Sequence, residues 1–333
     1  MYLLGCSDGY QQAGADLVYV LDIISLGAGL AAISSDQSLS LFNPLRLGQG
    51  PLKRLRTSHG NIATAKAYSV AESIVATTGE NGTVCLWDLR LEPGDAQVLE
   101  LGGNETSLLS LACSPSTFSV SAGTELADHQ ASVLIWDIRQ GSSPRIKYAE
   151  IHSDDVTELN FHPGDPNILL SGSTDGLVNI CDTRITDEDE VVVTAFNHGS
   201  VHRAGFLNNT EIFALSHDEK FALYNIAEGD QGSLSSLNMG DAREALGCQY
   251  VAHIFPKPNG VEAIIGVGSQ SQQMFQLIHL AKAETWGVDQ ASSVGLPGAH
   301  GEEIVRSFCF LEGQDVVFTA GEDGCVKAWR PGA

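Results

Sequence analysis

The chain has 333 residues, of which 18 are Lys or Arg and 41 are Asp or Glu, for a formal charge of -23. Hydrophobic residues at 43% supply a sizeable core, and charged residues at 18% are too few for a disordered chain. The charge opposes direct binding to nucleic acid or to an anionic membrane and favours a basic partner.

This length fits two or three ordinary domains or one large repeat architecture. No stretch reaches the roughly 20 apolar residues of a membrane span, since Asp22 and several glycines interrupt Val18 to Ile33. The start, Met1 to Asp8, lacks the basic and long apolar regions of a secretory signal. Cys6, Cys85, Cys113, Cys181, Cys248, Cys309 and Cys325 are scattered and form no C-x-x-C pair. They are read as reduced, mostly buried thiols of a nuclear or cytoplasmic protein, with no metal or cofactor expected. The sequons at Asn81, Asn104 and Asn208 are expected to be silent.

A short phrase recurs along the chain: small residues, a turn with Asp or Asn, then alternating apolar residues ending in an aromatic anchor. It appears first as Asp36 to Phe42, then as Thr77-Thr78-Gly79-Glu80-Asn81-Gly82-Thr83-Val84-Cys85-Leu86-Trp87-Asp88. A looser third copy runs from Asp128 to Trp136. The fourth, Ser171 to Asp182, puts Cys181 in the aromatic slot after Asp175. Asp218 to Tyr224 is the fifth, Gly266 to Leu277 a degenerate sixth, and Thr319 to Trp329, with its turn at Asp323, the seventh. Phe42, Trp87, Trp136, Cys181, Tyr224, Leu277 and Trp329 thus mark seven units of 43 to 53 residues.

Each unit reads as four short strands; in the fourth they are Thr157–Phe161, Ile168–Ser171, Leu177–Cys181 and Glu190–Ala195. A lone four-stranded unit cannot bury both faces, so the expectation is a single all-β, seven-bladed β-propeller over 1–333. Its blades begin near 17, 61, 107, 155, 200, 250 and 304. The seventh has no room for a fourth strand after Trp329, and residues 1–6 are expected to complete it and close the ring.

The chain resembles WD-repeat proteins over essentially its whole length, with Ser58-His59, Ile151-His152, Asn197-His198 and Ala299-His300 standing for the Gly-His signature. That resemblance implies a buried network of His, Ser/Thr, Asp and Trp in well-formed blades. It carries over fully to His300, Thr319, Asp323 and Trp329; blade four loses the aromatic to Cys181 and blade two replaces Asp by Asn81. The phrases Ser171 to Asn179, Ser216-His217-Asp218-Glu219, Asp241-Ala242-Arg243-Glu244 and His300 to Cys309 are similar to the WD repeat-containing protein 89 family. A non-enzymatic, monomeric interaction scaffold is what the resemblance implies.

No phosphate-binding loop, H-E-x-x-H or nucleophile elbow is present, and no catalytic constellation is expected. Charge is more informative. In a propeller the loops joining strands b to c, and one blade's strand d to the next blade's strand a, share one face. They hold Glu80, Glu105, Glu125, Asp128, Asp154, Asp155, Asp218, Glu219, Asp241, Glu244, Glu302, Glu303, Glu322 and Asp323. Such a rim would dock a basic peptide or protein, histone-like or ribosomal-protein-like. Asp187-Glu188-Asp189-Glu190 lies in a c-to-d loop on the opposite face and reads as a solvated run. There, Trp87-Asp88-Leu89-Arg90, Trp136-Asp137-Ile138-Arg139 and Cys181-Asp182-Thr183-Arg184 resemble the tandem W-D-x-R blades of cullin-4 ubiquitin-ligase substrate receptors. That resemblance implies adaptor binding through Arg90, Arg139 and Arg184; structural Asp–Arg pairing is the alternative.

Overall fold

The computed structural model describes residues 1–12, 17–102, 106–227, 236–311 and 313–332. Among these residues seven sheets surround a central channel, and strands are lettered a to d from the channel outward. Blade one comprises Val20–Leu26, Gly29–Ser34, Ser38–Phe42 and Pro51–Arg56. Blade two comprises Ile62–Ser69, Ile74–Gly79, Thr83–Asp88 and Gln97–Gly102, and blade three Leu108–Ser114, Ser119–Thr124, Ala131–Asp137 and Ile146–His152. Val156–Phe161, Ile168–Ser173, Leu177–Asp182 and Val192–Asn197 form blade four; Val201–Phe206, Glu211–Ser216, Lys220–Asn225 and Leu237–Asp241 form blade five. Blade six runs Tyr250–Pro256, Glu262–Ser269, Met274–Lys282 and Trp286–Pro297.

Strands b and c are covered on both faces, so Gly29–Ser34 and Ser38–Phe42 are buried throughout and read as small, apolar runs. The d strands have one wet face and alternate, as Pro51–Arg56 does. Apolar side chains gather at the seams between blades. One cluster joins Ile33 and Leu41 of blade one to Val75 and Trp87 of blade two, and another joins Val84 and Leu86 of blade two to Val120 and Trp136 of blade three. A blade is thus stable only against its neighbours.

Blade seven has Val305–Phe310, Val317–Gly321 and Cys325–Arg330 from the end of the chain and takes its strand d from the beginning. The N-terminus closes the ring, but the closing strand is Gly5–Gln11 instead of residues 1–6. It pairs antiparallel from Gly5↔Arg330 to Gln11↔Cys325, while Tyr2–Leu3 adds a parallel fifth strand to blade six at Val294 and Gly295. The reason is alternation. An outer strand needs one face in water and one turned to its neighbours, which the exposed and half-buried residues of Gly5–Gln11 supply, with Tyr10 packed on Phe42 at 5.4 Å between ring centroids. The apolar Leu4 is buried instead in the seam between blades six and seven.

Blade four departs from expectation once more. Its strand d begins at Val192 because Glu188–Val191 forms a helical turn, where Asp187 caps the Asp189 amide at 3.1 Å. The Glu188 carboxylate accepts the Ala149 and Glu150 amides of blade three at 2.7 and 2.6 Å, so this acidic run is partly a clasp.

All seven a–b pairings slip by one residue at the same point, just after Val20, Ile62, Leu108, Val156, Val201, Val251 and Val305. Such bulges re-aim the next side chain. Here that residue is always polar: Asp22, Thr64, Ser110, Glu158, Arg203, His253 and Ser307. Together they line cavities of the channel.

Candidate functional site

Three blades carry the buried polar network. In blade seven the His300 Nδ1–H donates to Asp323 Oδ1 at 2.6 Å, which leaves Nε2 free to accept the Thr319 hydroxyl at 2.7 Å. Thr319 Oγ1 in turn accepts the Trp329 indole N–H at 2.9 Å, so every member is satisfied in one directed chain. Burial pushes the His300 pKa down, partly opposed by Asp323, and favours the neutral ring this chain needs. Burial alone would raise Asp323, but His300, the Cys325 amide and Lys327 override it and hold the carboxyl well below its usual range.

Blade two closes the same chain despite Asn81. His59 bonds Asn81 Oδ1 at 3.0 Å and Thr77 Oγ1 at 2.8 Å, and Trp87 donates to Thr77 at 2.7 Å. The resemblance therefore extends fully to two blades, because the amide oxygen accepts as a carboxylate does. Blade four keeps His152 on Asp175 at 3.0 Å and on Ser171 at 2.8 Å, without an indole. Blade five uses different bonds, with His198 on the Tyr224 hydroxyl and the Lys220 carbonyl, both at 2.9 Å. Blades five and six are tied by the buried Glu211, which accepts Lys282 Nζ and Trp286 Nε1 at 2.9 Å each.

The acidic residues divide into groups. Asp155 accepts the Leu126 amide at 2.7 Å and so draws Asp154 and Asp155 to the b–c loop holding Glu125 and Asp128. Asp128 and His129 sit at φ 50° and 66°, a tight turn that explains the longer third copy. Asp218, Glu219, Asp241 and Glu244 form a second group: the Ala242 amide donates to the Glu219 carbonyl at 2.8 Å and Arg243 reaches the Asp218 carbonyl. Glu302 and Glu303 lie next to Glu322, whose amide donates to the Ile304 carbonyl. Glu80 stands apart and accepts the Asn61 amide and side chain. Glu105 lies outside the described residues.

Several of these carboxylates are committed. Asp241 is ion-paired to Arg243 at 2.7 Å and held below its ordinary pKa by it, and Glu322 is paired to Arg306 at 2.6 Å. Burial raises Glu219, which accepts the Val251 amide. Glu80, Glu125, Asp128, Asp218, Glu244, Glu302 and Glu303 remain exposed. Among the described residues, Arg243 is the single lysine or arginine in the b–c and d–a loops.

On the opposite face Arg90, Arg139 and Arg184 each fork onto the aspartate two residues back. Nε and Nη2 meet Asp88 at 2.9 and 2.7 Å, Asp137 at 2.8 and 2.7 Å, and Asp182 at 2.8 and 2.6 Å. Arg139 also stacks 4.3 Å above the Phe118 ring. The guanidiniums stay half exposed, yet their bidentate face is spent within their own blades.

The charged channel wall escaped the sequence reading. Lys66, Arg203 and Arg306 come together there with Glu158, Asp22 and His253. The signal was the recurring aliphatic-x-polar triplet of every inner strand, from Val20-Leu21-Asp22 to Val305-Arg306-Ser307.

Fold, closure and recurring network define a seven-bladed WD-repeat propeller. The family described as WD domain, G-beta repeat matches residues 51–88, 145–182 and 292–330. Those segments each take strand d, or part of it, from one blade and strands a to c from the next, ending on blades two, four and seven, where the His network is found. An uncharacterized WD repeat-containing protein of Saccharomyces cerevisiae is 37% identical over 63% of this chain and about half, 53%, of its own length. Another of Schizosaccharomyces pombe is 28% identical over 98% of this chain and 100% of its own. WD repeat-containing protein 89 homolog of Dictyostelium discoideum is 23% identical over 65% of this chain and 57% of its own. A chain in the crystal structure of the mitotic checkpoint complex superposes with a TM-score of 0.72 at 16% identity, over 98% of this chain and 91% of that one. The chain carries WD40 repeats, and its relatives are WD repeat-containing proteins. Propellers of this kind are in general non-enzymatic scaffolds for protein–protein contact.

Proposed function

We propose that this protein is a non-enzymatic scaffold whose face of b–c and d–a loops docks a basic protein segment, histone-like or ribosomal-protein-like. The observation that carries the reading is the imbalance in those loops: among the described residues they hold exposed carboxylates in three groups, against Arg243 as the one lysine or arginine, which is already paired to Asp241. A one-signed rim concentrates oppositely charged segments and speeds their arrival more than it tightens the final complex. The seven cysteines, all free thiols, fit action in the nucleus or cytoplasm.

The test is titration of the protein with a labelled Lys/Arg-rich peptide at low and high salt. Affinity should fall as salt rises, and Asp128→Lys/Glu302→Lys/Glu303→Lys should weaken it about tenfold or more. Affinity that ignores both salt and charge reversal would sink the reading.

A further inference from the structure

Inside the acidic rim the channel has the opposite character. Lys66, Arg203 and Arg306 line one cavity of about 310 Å³ together with a single carboxylate, Asp22, and the imidazole of His253. An adjoining cavity of about 210 Å³ shares Arg203 and Arg306 and reaches Glu219 and Glu322 in the b–c loops, so the cationic wall is approached from the acidic face.

Arg306 is held by Glu322 through Nε and Nη2 at 2.9 and 2.6 Å, but Lys66 and Arg203 are short of partners. Lys66 and Arg203 share one carboxylate, the buried Glu158, at 3.4 Å each, beyond a good charge-assisted bond. Asp22 spends its Oδ1 on the Ser307 hydroxyl at 2.6 Å and the Ile23 amide at 2.8 Å. Arg203 Nε is screened from solvent and meets no acceptor at all. Native structures rarely leave such a donor empty, because it forfeits its hydration without return. His253 responds to the same surroundings: burial, then Arg203 and Lys66, hold its pKa well below the ordinary imidazole value. A further cation is unwelcome there; an anion would be welcome.

We propose that the central channel binds a phosphoryl group through Arg203 and Lys66. The open Arg203 guanidinium and the Lys66 ammonium together suit a dianion with several acceptor oxygens better than they suit the single carboxylate they share, and Arg306 adds positive charge at the cavity wall. The cavity is at the small end of the roughly 300–1,000 Å³ of small-molecule sites, room for a phosphate on a short substituent. The group can arrive as a free small phosphate or as a phosphorylated side chain of a docked protein segment. The cations of the channel stand whether or not the rim docks a basic segment.

The experiment is calorimetric titration of the full chain, at fixed ionic strength, with inorganic phosphate, with a lysine-flanked phosphoserine peptide, and with its unphosphorylated twin. Phosphate should saturate in the millimolar range or below, and Arg203→Gln should weaken it about tenfold or more. Arg203→Gln/Glu158→Gln, which removes the cation together with the carboxylate it faces, keeps the test open if the single variant folds poorly. A gain of phosphopeptide over its twin that vanishes in Arg203→Gln assigns the group to a phosphorylated partner. Free phosphate binding as tightly as the phosphopeptide assigns it to a small molecule. No saturation by either probe, or unchanged binding in a folded Arg203→Gln variant, overturns the proposal. The unphosphorylated twin reads the rim alone, so the two proposals fail separately.

Discussion

Thr319→Val tests the directed hydrogen-bond chain of blade seven. The substitution keeps the branched shape and removes only the hydroxyl, which both donates to His300 Nε2 and accepts from Trp329 Nε1. Thr319, His300 and Trp329 are all buried, so both partners lose their bond with no water to replace it. At about 1–3 kcal/mol for each stranded group the loss is about 2–6 kcal/mol. Blade four provides the internal control. Ser171→Ala strands His152 Nε2 and frees the weakly bonding Cys181 thiol, with no indole involved, and the Asn179 amide already stands 3.5 Å from that nitrogen. Its cost should be about 1–2 kcal/mol. Urea titration followed by tryptophan fluorescence and by circular dichroism gives both values, and a cycle with Trp329→Phe isolates the Thr319–Trp329 coupling. If Thr319→Val costs no more than Ser171→Ala, or the cycle shows no coupling, the relay from indole to carboxylate does not hold blade seven.

Removing residues 1–3 should leave a folded ring, since it strips only the short parallel addition to blade six, whereas removing residues 1–11 should abolish cooperative unfolding in a thermal melt by exposing the whole edge of Cys325–Arg330. Acid should destabilise the protein before its carboxylates titrate. Burial lowers the folded pKa of His59 and of His300, so the unfolded chain takes up their protons first; stability present above about pH 6.5 is lost as pH falls below it, by at most about 1.4 kcal/mol per pH unit for each imidazole. Urea midpoints at pH 7.5, 6.5 and 5.5 check this, and a midpoint constant over that range contradicts it. Arg90→Ala and Arg139→Ala should leave the melting temperature almost unchanged, because both guanidiniums are half exposed, yet raise the Asp88 and Asp137 pKa values seen by NMR titration, as the arginine now holding each carboxyl low is lost.

The repeat was legible because strands b and c are buried on both faces and meet at a tight turn, so Thr77 to Trp87 and Thr319 to Trp329 print nearly the same phrase. Outer strands print little. Apolar Tyr2-Leu3-Leu4 drew attention away from Gly5–Gln11, whose polar alternation is what a half-wet edge requires. The Glu188–Val191 turn was hidden because four acidic residues read as solvated, although Asp187 is a helix cap. Rim residues could be placed on a face by counting loops, but which carboxylates are free depends on partners distant in sequence, such as Arg306 beside Glu322. The channel charges were least visible, since Lys66 and Glu158 meet across 92 residues and only the closed ring brings them together.

Closing the ring with Gly5–Gln11 also fixes an order of events during synthesis. Ser7 reaches the Ala328 carbonyl across 321 residues, so Gly5–Gln11 must wait for Cys325–Arg330. At roughly 5–20 residues per second the ribosome leaves Gly5–Gln11 without its mate for on the order of 15–60 s. During that interval blades one to six can stack on one another, while the outer face of blade one stays open. Gly5–Gln11 carries Ser7, Asp8 and Gln11 and no run of apolar residues, a sequence that can idle in water without recruiting a foreign strand. Its polarity, which obscured its role in the sequence, is what lets the nascent chain survive the wait.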